Sequence, residues 1–236
     1  MIRVPARFSG PIGYANGGWI GGLLAAESDL DPAMVTLRKP VPLETDLHFD
    51  GANLTLADTV LAEVTTADFT YPIPEPITRA EAEAAQAQSP VQASENYGTC
   101  LVCGVERTDG FQLRPGPVAG RPHTVACIWQ PGRTQPPLPV DAAIAAVWAA
   151  LDCPGAWTQE LLIQPMLLGR MMVSILDIPD LTPGATDDYI VIGHAEGAQG
   201  RKVFTTTALY DTEQNLLAHA EATWITVDAH PRSRDS

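Results

Sequence analysis

Asp152 is the residue on which a chemical reading of this chain turns. It follows Ala142 to Leu151, a run of ten apolar residues without a break. A run apolar on every face is a buried helix, because no side of it could meet water at low cost. It is also too short to cross a bilayer, which needs about 20 residues. Asp141 stands at its front as an N-cap and Pro154-Gly155 close its back. A lone acid at the mouth of such a helix is either hydrogen-bonded in place as structure or held there for chemistry. The helix dipole disfavours an acid at a C-terminus, which weighs against accident. A second set of interest is Tyr14-Ala15-Asn16-Gly17-Gly18, which opens another apolar helix, Trp19 to Glu27. Its glycines permit a tight entry and bring backbone N–H groups close to anything bound there. Close helix–sheet packing would ask for the same glycines.

The cysteines make a weaker case. Cys100 and Cys103 form a single CxxC, with His123 and Cys127 downstream. A four-ligand set can be drawn from these, but its spacing matches no common zinc pattern. The plainer reading of Cys100-Leu101-Val102-Cys103-Gly104 is a tight knuckle at the start of a strand. No βαβ context precedes it, so a thioredoxin-like redox pair is not expected. There is no GxSxG elbow and no HExxH helix, and His123, His194 and His219 are scattered. Neither a metal nor a cofactor is expected.

Composition bounds the partners. The 236 residues carry 28 acids against 14 bases, a net charge of −14. That argues against nucleic acid, since phosphate binding needs clustered Lys/Arg and none is present, and it disfavours an anionic membrane surface. No basic-then-apolar signal opens the chain and no run of about 18 apolar residues occurs, so the expected location is the cytosol. All four cysteines are then expected as thiols.

Strands are expected over Met34 to Leu37, Leu47 to Asp50, Leu54 to Leu56 and Thr59 to Phe69. Residues 71–97 change character: three prolines, then an Ala/Glu/Gln helix with a Thr78/Glu81 capping box, read as a surface connector. Strands resume at Phe111 to Arg114 and Thr124 to Trp129. After the Asp152 helix come Glu160 to Ile178, kinked near Pro165, then Asp187 to Glu196, Lys202 to Tyr210 and Leu216 to Val227. Each half thus holds one buried helix followed by long strands, and the ends of the halves (Thr59 to Phe69, Asn215 to Ile225) share Leu-Ala pairs and terminal aromatics. The architecture is α+β.

At these residues the chain resembles the hotdog-fold thioesterases. CLVCGVERTDGFQLRP is similar to the Cys-Phe-x-Cys-Gly…Gly-Leu-x-Leu-Arg entry of many hotdog domains, and MVTLRKPVPLETDL to the strand after the hotdog helix. The order of both halves resembles the double-hotdog acyl-CoA thioesterases of the type II class. The resemblance implies a tandem hotdog, each half a curved antiparallel sheet around one long buried helix: 1–75 an N-terminal, shortened hotdog, 76–97 a linker, 98–228 a C-terminal hotdog, and 229–236 a disordered tail. It also implies one composite site. Seven residues after Gly18 stands Ala25, so the first helix lacks the acid; seven before Asp152 stands Ala145, so the second lacks the glycines. The backbone amides of Gly18 and Trp19 would stabilise an oxyanion, Asp152 would act as general base or nucleophile, and Asn16 would position carbonyl or water, with Gly17 beside it. The Thr/Ser-rich stretch and the last-strand Gln of type II enzymes map onto His194 to Gly200 and Glu221-Ala222, where Glu196 and Gln199 offer substitutes. The implied activity is hydrolysis of an acyl-CoA or other acyl thioester, in fatty acid metabolism. A hotdog protein that binds an acyl ligand without turnover is the alternative, and a homodimer through exposed sheet edges is compatible with either.

Overall fold

A computed structural model describes residues 1–10, 13–28, 30–93 and 97–227. The expected disordered tail, 229–236, lies outside the described residues. Ten strands form one sheet: β1 (Ala33–Leu37), β2 (His48–Phe49), β3 (Asn53–Leu56), β4 (Thr59–Thr65), β5 (Gly116–Pro117), β6 (Thr124–Trp129), β7 (Met166–Ile175), β8 (Tyr189–Gln199), β9 (Lys202–Tyr210) and β10 (Leu216–Thr226). Their order is β2-β3-β4-β1-β7-β10-β9-β8-β6-β5, and every neighbouring pair is antiparallel. The strands of the first half therefore lie at one side and those of the second half at the other. The seam between them is β1 against β7, from Ala33 opposite Val173 to Thr36 opposite Arg170.

Side-chain alternation sorts the two faces of the sheet. Cys127, Val191 and Leu209 point into the larger core, with the helices α1 (Gly17–Ser28) and α3 (Ala143–Ala156). Ala126, Ile190, Ile192 and Ala208 point the other way, under the helix α2 (Arg79–Gln86). The Thr78/Glu81 capping box forms as expected, but the helix it starts is more than a surface connector. Ala82 and Ala85 are buried on the sheet, and the Gln86 side chain accepts a hydrogen bond from Ile128 N–H at 3.0 Å.

Four local expectations fail. Asp141 does not cap the second buried helix. A 3-10 turn, Val140–Ala142, precedes it, closed by Ala142 N–H on Pro139 C=O, and Ala142 takes the cap position without a side-chain bond. Pro154 and Gly155 do not end that helix. The proline forfeits one i→i−4 bond inside the last turn, and the helix runs on to Ala156, where Trp157 N–H bonds Cys153 C=O at 3.1 Å. The residues from Phe111 to Arg114 lie outside the sheet, and the long strand expected from Glu160 begins only at Met166. Glu160 to Gln164 form a turn, and Pro165 has no N–H for the ladder. Among the described residues no helix is long and apolar enough to cross a membrane.

The two buried helices cross on small residues. Gly18 lies against Ala149 and Asp152, and Gly22 against Ala145, so the helices are antiparallel. A Cβ at Gly22 would stand 2.5 Å from Ala145 Cα and 2.9 Å from Trp148 Cβ. Gly22→Ala gains about 1 kcal/mol of helix propensity but overpacks a backbone contact, which costs about 1–3 kcal/mol. The variant is expected to be destabilised in urea denaturation; equal or greater stability would show that the crossing can relax.

Candidate active site at the helix crossing

Asn16 stands at the N-cap of α1. Its Oδ1 accepts from Trp19 N–H at 2.8 Å, and its backbone C=O accepts from Ile20 N–H at 3.1 Å. An Asn in this position satisfies one of the amides that a helix start leaves without a partner. The same side chain turns its Nδ2 outward and donates to Asp152 Oδ2 at 3.0 Å, and Gly18 N–H donates to that oxygen at 3.0 Å. The carboxylate of α3 thus sits on the N-terminus of α1, 134 residues away in sequence from the amide it meets. Gly18 must be glycine here, because a Cβ would stand 2.6 Å from Trp148 C=O and 2.7 Å from Asp152 Cβ.

Two opposing effects act on Asp152. It is 4% exposed, and its Oδ1 has no hydrogen-bond partner among the described residues. Burial raises its pKa; the Gly18 N–H bond lowers it, proximity to Cys100 raises it and the Asn16 bond lowers it, with burial dominant and the result about 7. The positive end of the α1 dipole favours the charged form, yet two donors and a dipole do not offset the loss of water.

The site opens into a cavity of about 520 Å³. Asn16, Gly17 and Asp152 line it, with apolar wall from Leu37, Trp157 and Leu168. Arg38 and Lys39, both exposed, also border it, and Arg38 pairs with Glu63 at 2.5 Å. The size and the few polar groups on apolar walls are those of a small-molecule site. Three thiols share the lining: Cys100, Cys103 and Cys153, all buried. Cys100 and Cys153 have their Sγ atoms 3.6 Å apart. Hydrogen bonds from Cys103 and Cys153, and from the Cys103 and Val102 backbone, hold the Cys100 thiol well below its ordinary pKa, while the Cys103 and Cys153 thiols are pushed up. Cys127, drawn with Cys100 and Cys103 on sequence, is buried elsewhere and does not join them; Cys153 does.

The structure therefore brings Asn16, Gly17, Gly18 and Asp152 together. The Trp19 amide belongs to the same turn but is taken by Asn16, and its indole is buried against Phe8 with ring centroids 3.8 Å apart. Glu196 and Gln199 do not line the cavity. Glu196 accepts from Thr206 Oγ1 at 2.7 Å, and Gln199 is exposed at the end of β8. Glu221 accepts from the Thr70 and Tyr71 amides, at 2.5 and 2.6 Å. Sequence reasoning missed Thr205, Thr206 and Thr207, a buried Thr run inside β9, one strand later than expected. It also missed Trp224, which lines the cavity and donates from Nε1 to Thr205 Oγ1 at 3.0 Å. A Thr triplet in an apolar strand is the signal that could have found the first.

No protein-family model matches the chain, and no curated protein matches it in sequence. Solved structures do match its shape. The tesB protein of Mycobacterium avium subsp. paratuberculosis superposes with a TM-score of 0.60 at 13% identity, over 96% of this chain and 91% of that one. A protein from Alicyclobacillus acidocaldarius described as having a hot dog fold gives 0.55 at 12% identity, over 97% and 92%. This chain has the hotdog fold. An acyl-CoA thioesterase II, TesB2, from Mycobacterium marinum gives 0.56 at 12% identity, over 92% of each chain. The hotdog sheet of this chain is the ten-stranded one described above, continuous across the β1–β7 seam.

The raised pKa of Asp152 has a signed consequence for stability. The acid ionises near 3.8 in the unfolded chain and near 7 in the fold. Its contribution is therefore fully present below about pH 4 and is lost as pH rises to about 7, at up to about 1.4 kcal/mol per pH unit. Chemical denaturation of the wild type and Asp152→Asn across this range should show the wild type gaining on the variant as pH falls. A difference independent of pH would contradict the burial account.

Proposed function

We propose that the chain is a double hotdog that hydrolyses an acyl-CoA or related acyl thioester at one composite site, with Asp152 as general base. The observation that carries this reading is the meeting of the Asp152 carboxylate with the start of α1 on the wall of one cavity. The first half, with α1, and the second, with α3, each supply what the other lacks. Residues 1–75 and 98–228 are read as the two hotdog units, joined by the segment that carries α2.

In the reaction a water bound beside Asp152 gives a proton to the carboxylate as its oxygen bonds to the thioester carbonyl carbon. The carbonyl becomes an oxyanion. Gly17 N–H lines the cavity at the positive end of α1 and has no acceptor among the described residues, so it is the donor free to meet that charge. When the carbonyl reforms, the C–S bond breaks and the proton on Asp152 passes to the departing sulfur. Asn16 holds the carboxylate in place through Nδ2. On a chain of net charge −14, Lys39 at the cavity border, next to the Glu63-paired Arg38, suits a ligand whose far end carries phosphate.

A second reading, acyl-ligand binding without turnover, has its own support. The Gly18 and Trp19 amides are both engaged within the protein, and Thr205 is taken by Trp224. A panel of acyl-CoA esters with colorimetric trapping of the released thiol separates the two. The hydrolase reading expects turnover of at least one ester, with Asp152→Asn losing on the order of 10² to 10⁴ in kcat at a near-constant KM. A wild type inactive on every ester that still binds a non-hydrolysable thioether analogue would support the binding reading. Unchanged turnover by Asp152→Asn would remove that residue from the chemistry.

A further inference from the structure

We propose that Cys100, Cys103 and Cys153 form a binding site for a thiophilic divalent cation, Zn²⁺, with its fourth coordination position facing the cavity. This stands on the placement of the sulfurs and holds or fails independently of the thioester reading.

The three Sγ atoms all lie within 4.8 Å of one another, and Cys100 and Cys153 are 3.6 Å apart. Tetrahedral zinc at about 2.3 Å from each sulfur sets neighbouring sulfurs about 3.8 Å apart. The observed cluster needs only small adjustments to meet that figure. A disulfide has its sulfurs at about 2.05 Å and would use two of the three, leaving the third unexplained; a metal ion uses all three. Apolar packing alone gives no reason for three sulfurs from two distant segments to converge.

The backbone around the cluster holds the sulfurs in place. Cys100 to Cys103 fold into a tight knuckle, and Asn16 Nδ2 approaches Cys100 Sγ at 3.9 Å. Gly104 closes it. Its N–H donates to Cys100 C=O at 2.8 Å, and a Cβ there would collide with the carbonyls of Cys100 and Gly98. Cys153 comes from α3, whose position is set by the helix crossing. Arg114 is half-buried beside the cluster and donates from Nη1 to Cys103 C=O at 3.0 Å. Three thiolates, one Zn²⁺ and one guanidinium sum to zero, so the metal and Arg114 together offset the charge of the three sulfurs. All three cysteines line the cavity, so a water or a ligand donor can reach the metal. Three protein ligands with one open position is the pattern of zinc sites that exchange ligands, as opposed to closed structural ones.

The test uses the full chain, reduced and loaded with Zn²⁺, then freed of excess metal and assayed by elemental mass spectrometry. The expected result is one retained equivalent. Loading with Co²⁺ instead should give tetrahedral d–d bands and intense thiolate-to-cobalt charge transfer, and neither wild-type measurement requires a variant to fold. Cys103→Ser and Cys153→Ser should lose the bound metal, while Cys127→Ala and Asp152→Asn should keep it. The proposal is overturned if the reduced wild type retains no zinc, if the cobalt form lacks thiolate charge transfer, or if Cys127→Ala loses metal as completely as Cys153→Ser. A metal-loaded chain inactive on every acyl-CoA supports this site and counts against hydrolysis alone. An active chain that takes up no metal does the reverse.

Discussion

The interaction on which the rest of the structure depends is the seating of one carboxylate, Asp152, on the start of α1. It demands that two buried helices approach until a side chain of one reaches the backbone of the other. That in turn demands glycine at 18 and 22 and alanine at 145 and 149. It demands a residue at position 16 that caps its own helix with one end of its amide and holds the acid with the other, and Asn is the side chain with both an acceptor and donors for the task. The sheet makes the helix pair a fixed object, because β1 and β7 join the two halves through an unbroken ladder.

The acid is held between two tendencies. Burial favours its neutral form, and the helix start favours its charged form, leaving it near neutrality. Such a group can take a proton and return it at little cost, as the proposed general-base role requires. The cavity beside it adds a largely apolar wall and a cationic border. The acid is set by the crossing, and the cavity walls are set by the loops and strands around it. The converging thiols lie on the same wall, so any ion they hold would share the cavity with whatever the Asp152 end binds.

Most of the fold was legible in the sequence because it is written in local patterns. The unbroken apolar run before Asp152, the Gly-Gly helix start and the strand from Lys202 to Tyr210 each announce themselves within ten or so residues. The pairing of Asp152 with the Gly18 helix start was legible only through the resemblance to the hotdog thioesterases, with the acid missing in one half and the glycines in the other; that Asn16 donates to the carboxylate appears only in three dimensions. What was not legible depends on tertiary placement. Pro154 reads as a stop, yet α3 continues because the surrounding core holds its last turn. Glu196 and Gln199 read as polar replacements near a site, but strand twist and register place one on Thr206 and the other in solvent. Cys153 lies 50 residues after Cys103 and belongs to no recognisable spacing, so its convergence on the CxxC knuckle appears only in three dimensions.

The central claim, a buried acid shared between the two helices, is tested most directly by the amide it touches. In a ¹⁵N-resolved NMR titration, the Gly18 N–H resonance should move with a midpoint near pH 7 in the wild type and stay flat in Asp152→Asn. A Gly18 resonance insensitive to pH in the wild type, or one that titrates near pH 4, would contradict it.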